Sequence, residues 1–450
     1  MINVLGSIMV KEGYIDEALE ISQQHVRRSR KEPGCIAHKL RWLLIVLLAA
    51  FIDNAIALTR VSQAISVGGN TVTLQVPLNT RVEFLASISG ARFPTFGPDD
   101  EMIVGTNGST VYRLLPPYNQ ATSLVSLSPR SHSAVYRSGK LYVAAENGVY
   151  VADYNGSSAS LNSNSFTRIF SFPTGGNHSS RTIVKDAAGT LYIAIGIDRN
   201  CTDQYLAGQP PQYPANDQRG GVWRVVETGA NPSLVPYSTG LRNPIGIVFK
   251  PSDGSFWATN AGSDDLGNNL PREVFSRLTD GSWHGMPWFQ YIGNSFARQS
   301  CISSAPPRPA SQATPPSVTF DARSTPQGLA FVNGGNFSSE FTGNALVAIH
   351  GSSSSNRHPK IVMVKFSGGN PVSVEDVITG FQYSNGSRFA RPSGAAFGAD
   401  GHFYFTSDRG NVQGLFRLIS TNNPPPPTPP VSPNGSKSIP AITDLILDDS

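Results

Sequence analysis

The chain has 450 residues, of which 39% are hydrophobic and only 15% charged, and it contains 43 glycines and 34 prolines. This length allows one large domain or two ordinary ones, and the low charge with abundant glycine and proline favours a loop-rich all-β protein. The formal net charge is +4, much of it within the first 41 residues, and the later basic residues are scattered. This distribution excludes the concentrated basic surface of a nucleic-acid-binding protein.

Residues 1–38 differ in pattern from the rest of the chain. Apolar residues within Gly13–Arg30 recur at helical spacing, and Pro33 and Gly34 end the pattern. The run VKEGYIDEALEISQQHVRRSRKEPGCIAH resembles the opening of an antibiotic-biosynthesis monooxygenase-type domain, but it is far too short to form one. We interpret 1–38 as a helical extension that is either a gene-model artefact or a domain fragment, and assign it no function.

A secretory signal is predicted at residues 39–57. An uninterrupted apolar run, 42–52, follows Lys39 and Arg41 and precedes the sequence Ala-Ile-Ala, which is the order of segments in a signal peptide. The run is short for a transmembrane helix, and a signal anchor that keeps the chain on a membrane is the alternative. Seven Asn-X-Ser/Thr sequons follow this signal. The signal and the sequons together lead us to expect an extracellular glycoprotein.

Two cysteines, Cys201 and Cys301, lie beyond the predicted signal. In an oxidising compartment two cysteines in polar loops are expected to pair, whereas two free thiols are the alternative. The loops that carry them, Asp198–Gly220 and Ser295–Pro316, are long and rich in proline. We expect both loops on one face of the fold, where binding usually resides.

From Val67 onward the chain repeats one unit, in which a strand of small and apolar residues is followed by a turn and an aromatic-rich strand. The second halves of the six units are EMIVGTNGSTVYRL, GKLYVAAENGVYVADY, GTLYIAIGIDRN, GSFWATNAGSDD, NALVAIHGSSS and GHFYFTSDRG. Six such units predict an all-β, six-bladed β-propeller over residues 58–420, with a pair of β-sandwiches as the alternative. The proline-rich stretch that follows predicts a disordered tail at 421–450.

The stretch Ser238–Glu273 contains the densest group of candidate functional residues. Arg242 and Asn243 stand in a polar turn before one strand, and the loop Gly262–Asn269 follows the next strand. This loop carries two adjacent aspartates and exposed backbone oxygens, which suit a hard cation such as calcium.

Five motifs occur in this chain in the same order as in the soluble PQQ-dependent sugar dehydrogenases, especially the sorbosone and secreted fungal pyranose dehydrogenases. They are GGNHSSRTI, GLRNPIG with the acidic loop after it, STPQGLAF, HGSSSSNR and RFARPSG. The chain resembles this family over roughly Val67–Ser420. The resemblance implies a six-bladed propeller of the soluble quinoprotein glucose/sorbosone dehydrogenase type.

The resemblance also implies roles for particular residues. His178 would be the general base that takes a sugar hydroxyl proton, and Arg181 would stabilise developing negative charge. The expected cofactor or substrate contacts are Arg242, Asn243, His350, Arg357 and Arg391. Since PQQ is a tricarboxylate, arginine side chains suit it. Arg181, Arg242 and Arg391 occupy the same position in their repeats, so we expect them to converge on one face.

Calcium is the second cofactor that the resemblance implies. The backbone carbonyls of Gly262 and Ser263 match the family's ligands of the calcium beside PQQ, and Asp265 with Glu273 matches a second, structural calcium. A cation at the first position would act as a Lewis acid on the quinone carbonyl.

Two positions depart from the family pattern. Asn177 stands where bacterial glucose dehydrogenases have an aspartate beside the base, so the group that orients His178 is not evident from the sequence. Asn177 is also a sequon, but a glycan there would block the base, and we expect it to be unmodified. Ser353 replaces a family tryptophan, so the family's stacking contact is not expected at this position.

The sequence therefore predicts a secreted dehydrogenase that oxidises a pyranose or ketoaldose sugar and passes electrons to a cytochrome, a quinone or an artificial dye. One alternative is a calcium-dependent lactonase-type hydrolase, but that needs acidic ligands from several blades, and here they cluster in one. The other alternative is a non-catalytic extracellular propeller that binds carbohydrate or protein. Retention of the base and the arginines favours the enzyme.

Overall fold

The computed structural model describes residues 58–203, 218–227, 232–352 and 357–421. The predictions for 1–57, and for the tail beyond its first residue, lie outside the described residues. Across the described ranges, the secondary structure consists of strands and three single-turn 3-10 helices, Pro98–Asp100, Ser163–Ser165 and Ala310–Gln312. No helix among these residues is both long and apolar enough to span a bilayer.

Six antiparallel sheets form the blades, and each blade is named here in chain order. Blade 1 contains β4 (Ala91–Phe96), β5 (Met102–Thr106), β6 (Thr110–Leu114) and β7 (Ala121–Ser126). Blade 2 contains β8 (Ser131–Arg137), β9 (Lys140–Ala145), β10 (Gly148–Asp153) and β11 (Thr167–Ser171). Blade 3 contains β12 (Arg181–Lys185), β13 (Leu191–Ile195), β14 (Gly221–Val226) and β15 (Ser233–Thr239), joined by the parallel strand β19 (Ser282–Trp283).

The other three blades follow the same plan. Blade 4 contains β16 (Ile247–Phe249), β17 (Phe256–Asn260), β18 (Glu273–Leu278) and β22 (Val318–Phe320). Blade 5 contains β23 (Pro326–Phe331), β24 (Ala345–Ile349), β25 (Lys360–Ser367) and β26 (Asn370–Ile378). Blade 6 contains β27 (Pro392–Phe397), β28 (Phe403–Ser407), β29 (Gly414–Ser420) and β3 (Thr80–Ser87). Two hairpins lie outside the blades, β1 (Arg60–Val67) with β2 (Asn70–Pro77), and β20 (Phe289–Ile292) with β21 (Ser295–Arg298).

The first strands of the six blades form a closed ring. Each contacts the first strand of the next blade, from β4 through β8, β12, β16, β23 and β27 and back to β4. A closed ring of this kind confirms the six-bladed propeller and excludes the pair of sandwiches.

A strand from the beginning of the fold closes the ring. β3 pairs antiparallel with β29, in a register that sets Thr80 opposite Ser420 and Ser87 opposite Gly414. Blade 6 therefore takes its outer strand from one end of the propeller sequence and its other three strands from the opposite end. Backbone hydrogen bonds along this pair hold the first and last blades together.

The repeated aromatic-rich segments of the sequence are the second strands of the blades. In β5, β13, β17, β24 and β28 every residue is buried, because neighbouring blades cover both faces. The turn before this strand contains a glycine with positive φ in five blades, at Gly139, Gly189, Gly254, Gly343 and Gly401. Blade 1 instead uses Asp99 and Asp100 at φ values of 55° and 58°, a conformation that aspartate tolerates better than most residues.

The strand directions bring the candidate residues to one end of the propeller. The first strands of all blades begin at this end, and the antiparallel second strands finish there. We call this end the mouth and define it by the residues that precede each first strand and follow each second strand. Arg242 and Arg391 precede β16 and β27, Arg181 begins β12, and Gly262 and His350 follow β17 and β24.

The two long loops meet, as the sequence predicted. Cys201, which follows β13, forms a disulfide with Cys301, which lies in the insertion between β18 and β22. The same insertion pairs with the outer strand of blade 3 through β19. The disulfide thus ties blade 4's insertion to blade 3 beside the mouth.

Phe405→Ala should test how strongly the closing blade contributes to stability. Phe405 is fully buried and stacks on Phe416 of β29 with ring centroids 5.1 Å apart. Loss of a buried phenyl ring should lower the free energy of unfolding by about 3–5 kcal/mol in a urea titration. Val372→Ala, at a site 50% exposed, is the control and should change it by less than about 0.5 kcal/mol. Equal effects of the two substitutions would contradict this account.

Candidate active site

His178 is held by the end of its own blade's second strand. Its Nδ1 lies 2.6 Å from the carbonyl oxygen of Ile197, and the neighbouring Asn177 N–H donates to the carbonyl of Asp198 at 2.6 Å. Because a carbonyl only accepts, Nδ1 carries the proton and Nε2 keeps the lone pair. The backbone of Ile197 is therefore the orienting group that the sequence did not reveal.

The surroundings of His178 keep its ring neutral. Burial together with the positive charges of Arg242, Arg219 and Arg181 lowers the pKa of His178 to about 3, although the bond to Ile197 opposes this shift. A neutral imidazole with a free Nε2 can accept a proton.

Arg181 lies beneath this loop rather than on its surface. It is 0% exposed, and its guanidinium donates to the carbonyls of His178 and Ser180 at 2.9 Å and of Pro173 at 3.1 Å. In this structure Arg181 holds the loop that carries His178 and adds positive charge. Its predicted contact with developing negative charge is not made directly by an exposed guanidinium.

Blades 3 and 4 approach each other closely at Gly196. A Cβ at this position would lie 2.7 Å from both Asn243 Oδ1 and His178 Cβ. The glycine therefore lets Asn243 and His178 approach each other. Asn243 is fixed in turn, because its N–H donates to Asn260 Oδ1 at 2.8 Å.

Arg242 spans the mouth between blades 3 and 4. Its Nε donates to the carbonyl of Asn200 and its NH2 group to Asn200 Oδ1, each at 2.7 Å, and Asp264 lies 3.8 Å away. Burial lowers the pKa of Arg242 to about 10, although Glu273 and Asp265 oppose this shift. The side chain remains cationic at neutral pH with its orientation fixed.

The loop after β17 has free backbone oxygens. The carbonyls of Gly262 and Ser263 accept no hydrogen bond from any described residue, although Ser263 is only 1% exposed. Glu273 lies behind the loop and accepts from Gly262 N–H at 2.6 Å and from Arg323 N–H at 3.0 Å. Buried carbonyls normally have a partner, so this pair suits a cation.

The two acidic residues predicted for a second calcium have different surroundings. Burial raises the pKa of Glu273 to about 7, and both its oxygens accept backbone N–H groups. Asp265 is exposed and accepts from Asn200 Nδ2. Within the described chain, Asp265 joins one group with metal-ligand spacing, but its other members are Cys201 and Cys301. Their sulfurs are bonded to each other, so this group does not supply thiolate ligands.

His350 and Arg391 meet on the other side of the mouth. His350 Nε2 lies 2.8 Å from Asp408 Oδ1, and Arg391 Nε donates to the carbonyl of His350 at 3.0 Å. Burial lowers the pKa of His350 to about 4 despite the carboxylate. Burial opposes the charge of Asp408, but Arg92 and His350 hold its pKa well below the usual range.

Sequence reasoning missed Asp408 and its partners. Asp408 Oδ2 accepts from Asn107 Nδ2 at 2.7 Å and lies 3.4 Å from Arg92 Nε. Arg92 also donates to Gln327 Oε1 at 2.6 Å, so the network joins blades 1, 5 and 6. Asp408 follows the second strand of its unit, as Gly262 and His350 do, and this position was the available signal.

Arg357 occupies a separate cleft at the rim. Its Nε donates to the carbonyl of Ala322 at 3.1 Å, and it lines a cleft of about 390 Å³ with Arg60, Lys360 and Asp376. The described residues give no bond between Arg357 and His350. The structure does not place the Arg357 side chain in hydrogen-bond contact with His178 or with His350.

Comparison with known proteins agrees with this fold. An uncharacterised protein of Borreliella burgdorferi is 25% identical over 357 residues, which cover 76% of this chain and 90% of that protein. A Trichoderma reesei carbohydrate-active enzyme of family AA12 aligns with a TM-score of 0.64 and 17% identity over 82% of this chain and 100% of that chain. The PQQ domain of the Coprinopsis cinerea pyranose dehydrogenase, in its holo form, aligns with a TM-score of 0.59 and 16% identity over 77% and 97%.

These two structures share the propeller fold. Residues 125–416, more than half of the chain, match the family described as Glucose / Sorbosone dehydrogenase. The predicted resemblance is thereby confirmed, and the chain belongs to the glucose/sorbosone dehydrogenase family.

Proposed function

We propose that this protein is a secreted dehydrogenase that uses PQQ and calcium to oxidise a pyranose or ketoaldose sugar. The observation that carries the proposal is the position of His178 beside the positively charged arginine side chains of the mouth. His178 offers a neutral Nε2, Asn243 lies across Gly196 from His178, and Arg242 places a positive charge near the ring.

The residues of the mouth fit a cofactor with several carboxylates. Arg242 and Arg391 each donate to backbone carbonyls and keep further N–H groups on the guanidinium. Burial lowers the pKa of both arginines to about 10, which leaves them charged at neutral pH. Partly desolvated arginines bind carboxylates more strongly than solvated ones do.

The Gly262–Ser263 loop fits a hard cation. It presents two backbone carbonyls without a described partner, and Glu273 behind it fixes the backbone. Carbonyl oxygens are ordinary calcium ligands. Two such ligands make an incomplete shell, so the carboxylates of PQQ would complete it.

His178 would do the proton chemistry of the reaction. Its Nε2 would accept the proton of the sugar hydroxyl while Ile197 keeps the ring oriented and Arg181 supports the loop below. PQQ, when bound, supplies the hydride acceptor, and calcium polarises its carbonyl. The positive charges around His178 would favour the alkoxide character that the sugar oxygen gains as it loses its proton.

Secretion and the electron acceptor also belong to the proposal. The signal-like segment at 39–57, the sequons and the Cys201–Cys301 disulfide support an extracellular protein. The electrons would pass to a cytochrome or a quinone, and an artificial dye would replace them in an assay.

Calorimetric titration of PQQ into the full secreted chain should show binding at micromolar affinity or tighter in calcium and clear weakening after chelation. Arg242→Ala should weaken binding about 10- to 100-fold, because it removes charged hydrogen bonds to a carboxylate. Arg277→Ala, an exposed arginine of the same blade, is the matched control. Absence of PQQ binding under both conditions would leave the non-catalytic binding propeller as the better account.

His178→Gln should retain PQQ binding but lose sugar-dependent dye reduction by about 10²- to 10⁴-fold, the usual contribution of a general base. PQQ binding and dye reduction are measured on the same preparation, so loss of the base can be distinguished from loss of the cofactor. A variant that reduces dye at the normal rate would show that another group takes the proton.

The acid limb of the rate profile should also report His178. Protonation removes the acceptor at Nε2, and the pKa of His178 is lowered from 6.5 to about 3 by burial and the neighbouring arginines. Activity should therefore survive acidification well below pH 6.5, measured as kcat/KM of the holoenzyme against pH. An acid limb centred on the ordinary histidine value would contradict this electrostatic account.

A further inference from the structure

The mouth contains a second histidine whose tautomer is fixed, His350 of blade 5. We propose that His350 Nδ1 is an acceptor for a second sugar hydroxyl and that Asp408 is the positioning residue that makes it one. The sugar contact rests on the proposed dehydrogenase function, whereas the positioning by Asp408 does not.

Both carboxylate oxygens of Asp408 take part in hydrogen bonds. Its side chain is 1% exposed, Oδ1 lies 2.8 Å from His350 Nε2, and Oδ2 accepts from Asn107 Nδ2 at 2.7 Å. An ionised carboxylate only accepts hydrogen bonds. His350 Nε2 must therefore carry the proton, and Nδ1 holds the lone pair.

The lone pair of Nδ1 is available to a ligand. Nδ1 makes no hydrogen bond to any described residue. It is also not one of the fully buried polar side-chain atoms that lack a partner in this part of the chain, so it keeps some exposure to solvent. His350 follows β24 at the mouth, and Arg391 clamps the backbone there by donating to the carbonyls of His350 and Gly351. His350 is thus held by bonds to Asp408 and to Arg391, and its acceptor is not fully buried.

The two histidines of the mouth complement each other. His178 presents Nε2 because the Ile197 carbonyl takes its other nitrogen, and His350 presents Nδ1 because Asp408 takes Nε2. They belong to blades 3 and 5, with Arg242 of blade 4 between them in the ring. A sugar ring carries several hydroxyl donors, so a second fixed acceptor at the mouth would add a contact that His178 alone does not supply.

The network predicts the effect of an isosteric change at Asp408. Arg92 Nε donates to Asn107 Oδ1 at 2.7 Å, and since arginine only donates, this bond fixes the Asn107 amide with its Nδ2 toward Asp408. In Asp408→Asn the new amide must then keep its oxygen toward Asn107 and turn its NH2 toward His350. The ring must accept at Nε2 and carry its proton at Nδ1, so the mouth gains a donor where it had an acceptor.

Long-range 15N–1H NMR of the full secreted chain labelled at histidine would test the positioning without any cofactor. His350→Gln assigns the resonance, since the sequence contains only 8 histidines. Wild-type protein should show the proton on Nε2, and Asp408→Asn should show it on Nδ1. A proton on Nδ1 in the wild type, or an unchanged tautomer in the variant, would overturn the role of Asp408.

Reduction of PQQ-loaded protein by a panel of aldoses tests the sugar contact. Asp408→Asn, assayed after saturation with PQQ, should lose about 10- to 100-fold in kcat/KM, as expected for one mispaired hydrogen-bonding group. Asp400→Asn is the control, because Asp400 lies in the turn before β28 at the opposite end of the same blade. A changed tautomer with full sugar reactivity would overturn the contact. Failure of wild-type protein to bind PQQ would instead overturn the dehydrogenase proposal and the sugar contact with it, while the NMR result would still decide the role of Asp408.

Discussion

Ring closure is the constraint on which the rest of the structure depends. A four-stranded blade has two apolar faces, as the fully buried second strands show, and only a neighbour on each side can cover both. Pairing of β3 with β29 supplies the fourth strand of the last blade and so closes the ring. Because every blade then runs in the same direction, closure also gathers the starts of six first strands at one mouth. The site is thus a consequence of the closed ring, not an addition to it.

The mouth concentrates positive charge in partly buried surroundings, and this has a cost in stability. Burial lowers the pKa of Arg92, Arg242 and Arg391, which means that the charged forms of these side chains are less stable there than in water. Asp408 is the most deeply buried carboxylate of this network and offsets part of that cost on one side. Among the described residues, the side that carries His178 and Arg242 has the buried Glu273 near Arg242 but no carboxylate bonded to the histidine. That imbalance is what a polyanionic cofactor would relieve.

Much of the fold could be predicted because it is written in local patterns. The unit of strand, turn and strand repeats six times, and the structure places the later strand of each unit as the second strand of a blade, with a turn glycine before it in five of the six. Position in the repeat also predicted that Arg181, Arg242 and Arg391 would share one end, and all three lie at the mouth. Position does not determine where a side chain points, however. Arg181 shares the same position but turns beneath its loop and is fully buried, while Arg357 lines a different cleft.

The partners of the site were beyond sequence reasoning for a physical reason. Ile197 acts through its carbonyl, which any residue would offer, so its role leaves no trace in residue type. Arg92 and Asp408 are 316 positions apart in the chain, by their numbers, and meet only because the ring closes. Such bonds depend on distances that the repeat pattern does not contain.

The two ways of fixing a histidine have different consequences. A backbone carbonyl sets the tautomer of His178 without adding a negative charge, so burial and the nearby arginines hold the pKa of the imidazole below its ordinary value. A carboxylate sets the tautomer of His350 and also favours the charged ring, which burial opposes. The first arrangement suits proton transfer, and the second suits a fixed acceptor whose orientation must survive changes around it.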